Sequence, residues 1–129
     1  SGGIVDKSID LNGGQLAGRD LRGANLAGAN LAVSNLSGAN LSGANLNGAD
    51  LTAASLLNAN LSGADLTAAN LSHAVLIQAN LTAANLSEAN LWFASLVNAN
   101  LSGANLSGAN LTFASLAGAK LPDGYQPNN

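Results

Sequence analysis

The chain has no cysteine and no methionine among its 129 residues. It therefore holds no disulfide framework, no thiolate metal site and no thiol nucleophile, and its redox compartment is unreadable from composition. Charge is scarce. Lys7, Arg19, Arg22 and Lys120 are the only lysines and arginines, they lie near the two ends, and the formal net charge is −3. Binding to a nucleic-acid backbone needs clustered Lys and Arg, so a nucleic-acid partner is not expected. There is one histidine, His73. With no nucleophile, base and orienting group around it, it reads as a surface side chain, and no enzyme is expected. The carboxylates Asp10, Asp20, Asp50, Asp65, Glu88 and Asp123 are scattered. They suggest neither a paired acid–base site nor a metal site, and no cofactor is expected. Glycines recur without a Gly-Lys-Ser/Thr ending, so a phosphate loop is unsupported. No apolar run is long enough to span a membrane. No signal peptide is read at the start, although one removed earlier stays open, and the cytoplasm is slightly favoured as the compartment.

What fills the chain is a repeat. Every fifth residue from Leu11 to Leu121 is leucine. With leucine at position i, position i−2 is Ala from Ala24 to Ala119 except at Ser34. Position i−1 is mostly Asn or Asp, and position i+2 is often Gly. An α-helix turns about 500° in five residues, which would scatter the leucines around its axis. A flat strand would place successive leucines on opposite faces. One shared interior is reached only if the chain turns within each pentad, as in a solenoid.

The irregular positions recur at twice ten residues. Val33, Ala53, His73, Phe93 and Phe113 form a set without Gly. Asn35, Ser55, Val75, Ser95 and Ser115 form the set in which Asn is most often lost from i−1, and Ser37, Leu57, Ile77, Val97 and Ala117 hold three of the large residues at i+1. Four pentads therefore make one coil. Because Val33 is β-branched, the Gly-free corner is expected to use a turn with negative φ. The other corners are expected to use Gly for positive φ, with Asn or Asp at i−1 bonding nearby backbone.

The tract from Ala24-Asn25-Leu26 to Ala119-Lys120-Leu121 resembles the pentapeptide repeat family, whose pattern is Ala-(Asp/Asn)-Leu-x-x, and its Asn-Leu-Ser/Thr richness is similar to cyanobacterial members. The resemblance implies an all-β fold: a right-handed quadrilateral parallel β-helix, four pentapeptides per coil, with i and i−2 pointing inward. At about 4.8 Å per coil, roughly 5.5 coils make a rod about 26 Å long. Residues 1–8 form an N-terminal segment, 9–121 the β-helix and 122–129 a C-terminal tail. Ile4, Val5 and Ile9 are expected over the first coil and Tyr125 over the last. Tails this short leave weak end-to-end self-association open.

Alternation along one side places His73, Val75 and Ile77 outward, with Val33, Leu57, Phe93, Val97 and Phe113 on the same side of other coils and Trp92 at the adjoining corner. Contiguous exposed apolar surface marks interfaces, so this side is the candidate protein-binding face. An external stacking ladder that only stabilises the rod is the competing reading. The expected function is a non-catalytic structural or protein-binding module whose partner is unknown. Some members of the family bind DNA gyrase as DNA mimics. That alternative is disfavoured by the small negative charge and the lack of a C-terminal dimer-forming element. Ice or surface binding is disfavoured because Thr52, Thr67, Thr82 and Thr112 form no continuous column.

Overall fold

The computed structural model describes residues 10–127. Its regular structure is a series of parallel bridges, each joining residues twenty apart, from Asp10↔Asn30 to Asn100↔Lys120. No helix occurs among the described residues, and none is long and apolar enough to cross a membrane. Residues at equivalent positions in the pattern thus stack directly on one another. The expected covering of the first coil by Ile4, Val5 and Ile9 lies outside the described residues.

Backbone bonding explains why the unit is five residues long. The leucine amide donates to the next coil, as Leu51 N–H does to the Asn70 carbonyl at 2.7 Å. The i+2 amide also donates forward, as Ala53 does to Ser72 at 2.9 Å. The i−1 amide donates backward, as Asn70 does to Ala49 at 2.9 Å. The i−2 amide closes a turn on the preceding leucine, as Ala54 does on Leu51 at 3.0 Å. The fifth amide, at i+1, takes the Oδ1 of the i−1 side chain, as Ser72 does from Asn70 at 3.0 Å. Each donor of the pentad has a named acceptor, which is what a buried or half-buried backbone demands. The frequent Asn or Asp at i−1 is the residue that supplies the fifth.

Inside, leucine and alanine alternate. The inward leucines from Leu31 to Leu101, at every fifth position, are fully buried, and the alanines two residues before them are at most marginally exposed. Ser34, the one break in the alanine column, is also buried, and its hydroxyl donates to the Leu31 carbonyl at 2.7 Å. Tyr125 packs against the core after the last coil.

One expectation is overturned. The Gly-free corner does not turn with negative φ: Val33, Ala53, His73, Phe93 and Phe113 have φ of 61°, 57°, 59°, 58° and 60°. Asn58, Gln78 and Glu88 do the same at other corners, at 60°, 59° and 61°. A positive φ at the third residue of an i→i+3 turn is the type II pattern. The i+2 amide must point at the next coil, and that bond sets the turn whatever residue occupies the slot. A left-handed L-residue costs about 1–2 kcal/mol, a penalty the inter-coil ladder overrides.

Candidate functional site

The candidate side is assembled from three adjoining columns. The central column is bridged continuously through Asn35, Ser55, Val75, Ser95 and Ser115. Two residues before each lies the column of Val33, Ala53, His73, Phe93 and Phe113. Two residues after lies the column of Ser37, Leu57, Ile77, Val97 and Ala117, tied by bonds such as Gln78 N–H to the Val97 carbonyl at 2.9 Å.

The rings form a ladder whose centre is Phe93. His73 stacks on it nearly parallel, at 5.4 Å between centroids and an interplanar angle of 2°. Trp92 meets Phe93 edge-on at 4.5 Å and 89°, and meets His73 edge-on at 5.2 Å. Phe113 follows in the next coil at 5.0 Å. The coil rise places successive rings within the 4.5–7 Å range of favourable aromatic pairs. His73 is therefore a member of a ring stack, with no carboxylate or nucleophile bonded to it.

Stacking does not hide these side chains. Phe113 keeps 70% of its surface, Val33 61%, Phe93 46%, Trp92 39% and Leu57 37%. His73 is exposed, while Val75, Ile77 and Val97 are half-buried. The structure brings Trp92, Phe93, Phe113 and His73 into direct contact. Val33 is held apart from the rings by Ala53, and Leu57, Ile77 and Val97 form the opposite edge.

One feature of this side went unread in the sequence. On the remaining sides, Asn or Asp at i−1 caps the i+1 amide, as Asn60 caps Ser62 and Asn80 caps Thr82, each at 3.0 Å. Asn35 still does so for Ser37 at 3.0 Å. Once Ser55, Val75, Ser95 and Ser115 replace the Asn, the amides of Leu57, Ile77, Val97 and Ala117 donate no such bond. The signal in the sequence is the loss of Asn from that column.

An open concavity of about 680 Å³ lies at the C-terminal end, lined by Leu111, Phe113, Leu116, Tyr125 and Pro127 among others. Phe113 joins it to the ring ladder. Among the described residues no group of three or more His, Cys, Asp or Glu comes together. The one ion pair among them is Arg22 with Asp20 at 2.7 Å. Hydrogen bonds from Arg22, side chain first and then backbone, hold the Asp20 carboxyl down to about 2, and the same partnership raises the Arg22 guanidinium.

Compared with known proteins, the chain matches the family described as pentapeptide repeats, in 8 copies over residues 15–52, 44–82 and 84–121. Among curated protein sequences none matches significantly. Among solved structures it is similar to HetL, a pentapeptide repeat protein involved in heterocyst differentiation regulation from the cyanobacterium Nostoc sp. strain PCC 7120. Identity is 40%, coverage is 98% of this chain and 67% of HetL, and the TM-score is 0.77. A pentapeptide repeat protein from the Arabidopsis thaliana thylakoid lumen is 35% identical over 84% of this chain and 72% of its own, with TM-score 0.59. Rfr23 from the cyanobacterium Cyanothece 51142 is 34% identical over 85% of this chain and 88% of its own, with TM-score 0.59.

Proposed function

Because this chain belongs to the pentapeptide repeat family, we propose that it is a non-catalytic module that binds another protein through the side carrying the Phe93 ladder. The observation that carries the reading is that Trp92, Phe93 and Phe113 remain 39%, 46% and 70% exposed after stacking. A ladder that served stability alone would gain most by burying its rings, since burial removes roughly 25 cal/mol per Å² of apolar surface from water. Aromatic side chains held rigid by their neighbours lose little entropy on docking, which is why such residues anchor interfaces. The edge of Leu57, Ile77 and Val97 and the outlying Val33 extend the apolar area across the side.

The architecture belonging to this reading is a right-handed, four-sided β-helix of about 5.5 coils over residues 9–121, with residues 1–8 and 122–129 as end segments. Four flat sides give a rod on which one can differ from three. HetL is described as involved in regulating differentiation, and a regulatory binding role for this chain follows the same line.

The test is affinity capture from the native host with the intact chain and with a Trp92→Ser/Phe93→Ser variant. Proteins retained by the wild type and lost by a variant that still unfolds cooperatively support the binding face. The same proteins retained by both, with only stability lowered in the variant, overturn it in favour of an external ladder.

A further inference from the structure

The partner on this side can be specified from the backbone. We propose that it is a second copy of the chain, docked side to side with the two rods parallel; this rests on the binding face proposed above. The first observation is the row of amides at Leu57, Ile77, Val97 and Ala117 without the Asn cap. Where the cap exists, the acceptor is an outward side chain, so this amide points outward. The side therefore presents donors one coil apart, along the edge opposite the exposed rings.

The spacing of those donors selects the partner. Coils repeat at about 4.8 Å, whereas an extended peptide laid along the rod offers a same-edge carbonyl only every ~6.6 Å. A helix repeats at 5.4 Å per turn. Both drift out of step along four coils. A second stack of coils has the same rise and stays in register throughout.

Charge and area permit the pairing. From Trp92 to Val97, and in the equivalent stretches of the other coils, there is no Asp, Glu, Lys or Arg. The net charge of −3 is therefore carried elsewhere, and like charges do not meet when the side faces itself. The molecule exposes 5944 Å². One side in four offers on the order of 1,200 Å², against the roughly 800 Å² per partner of a standard interface.

Symmetry fixes the direction. A dimer pairs the same patch on both copies. A two-fold axis running across the rods would set amide row against amide row, donor against donor. An axis along the rods instead lays the ring edge of one copy over the Leu57–Ile77–Val97 edge of the other. It thereby sets the Leu57, Ile77 and Val97 amides over the backbone of the ring column, where the carbonyls of Ala53, His73 and Phe93 accept no hydrogen bond within the chain, and it lays the central column over itself.

Sedimentation equilibrium of the intact chain over a concentration series tests this, with Val75→Asn/Ser95→Asn as the variant. Asn at i−1 is the commonest residue of the repeat, so the variant retains the fold and caps the Ile77 and Val97 amides. A monomer–dimer equilibrium weakened at least about tenfold by the variant, with Tm unchanged or raised, is the expected result. A wild type that stays monomeric, or a dimer the variant leaves untouched, overturns the proposal. If the monomer still captures a different host protein through Trp92 and Phe93, the second-copy inference fails while the binding face stands. If it captures none, both fail.

Discussion

Val33 carries a β-branched side chain at φ 61°, a conformation such residues rarely adopt. Replacing Val33 by Gly relieves about 1–2 kcal/mol of left-handed strain and loses roughly half of that to chain entropy. Chemical denaturation should show Val33→Gly more stable, by up to about 1 kcal/mol. The opposite sign is expected at Asn70, whose Oδ1 accepts from the half-hidden Ser72 amide. Asn70→Ala should lower stability by about 1 kcal/mol. Asp20 has a depressed carboxyl, at about 2 against its ordinary 3.8. Its contribution is complete above pH 3.8 and is lost as pH falls through that value toward 2. The pair is exposed, so solvent screens it and the stability change is small. Carboxyl NMR is the direct measurement: Asp20 titrates near 2, and Arg22→Ala moves it back toward 3.8. The positive φ at Val33 was not legible from residue type, because local preference pointed the other way. Bonds to the next coil, such as Val33 N–H to the Thr52 carbonyl, decide that turn.

At the level of one coil and its neighbour, the ring ladder has a centre and an end. Phe93 touches His73, Trp92 and Phe113, whereas Phe113 touches Phe93 alone among the rings. Each pair is worth about 0.5–1.5 kcal/mol beyond area. Phe93→Ser should therefore cost about 2–3 kcal/mol and Phe113→Ser about 1 kcal/mol, measured by urea midpoint at constant slope. Losses in proportion to the area each ring buries would mean the stack contributes nothing beyond burial. The columns of this site were legible, since outward positions follow from alternation once the twenty-residue step is known. The uncapped amides were not, because an amide has no letter in the sequence. Their trace is the substitution of Asn by Ser55, Val75, Ser95 and Ser115, which gains meaning only when Asn is seen to cap the residue two positions on.

For the molecule as a whole, stability is a sum over coils that each contact only their neighbours. Deleting residues 36–55 removes twenty residues and returns each remaining column to register, with His73 stacking over Val33. This variant should unfold cooperatively, with a denaturant slope reduced in proportion to the surface lost and unchanged Trp92 emission. Deleting 81–85 removes only five residues and keeps the leucine register, yet it shifts His73 away from Phe93 and breaks the ladder. Trp92 fluorescence should change, and stability should fall further than a quarter of the loss from the longer deletion. The leucine period is thus legible and sufficient for the interior, while the placement of one side depends on the coil length.

The bonding between coils has one more consequence. In each pentad two amides donate toward the following coil and one toward the preceding coil, as Leu51, Ala53 and Asn70 show. The trans peptide sets each carbonyl against its amide, so one peptide dipole of about 3.5 D per pentad is left unbalanced. These add along the axis with their positive ends toward the C-terminal coil, opposite in sense to an α-helix. The rod is electrically directional: its last coil favours anions, and its first coil favours cations.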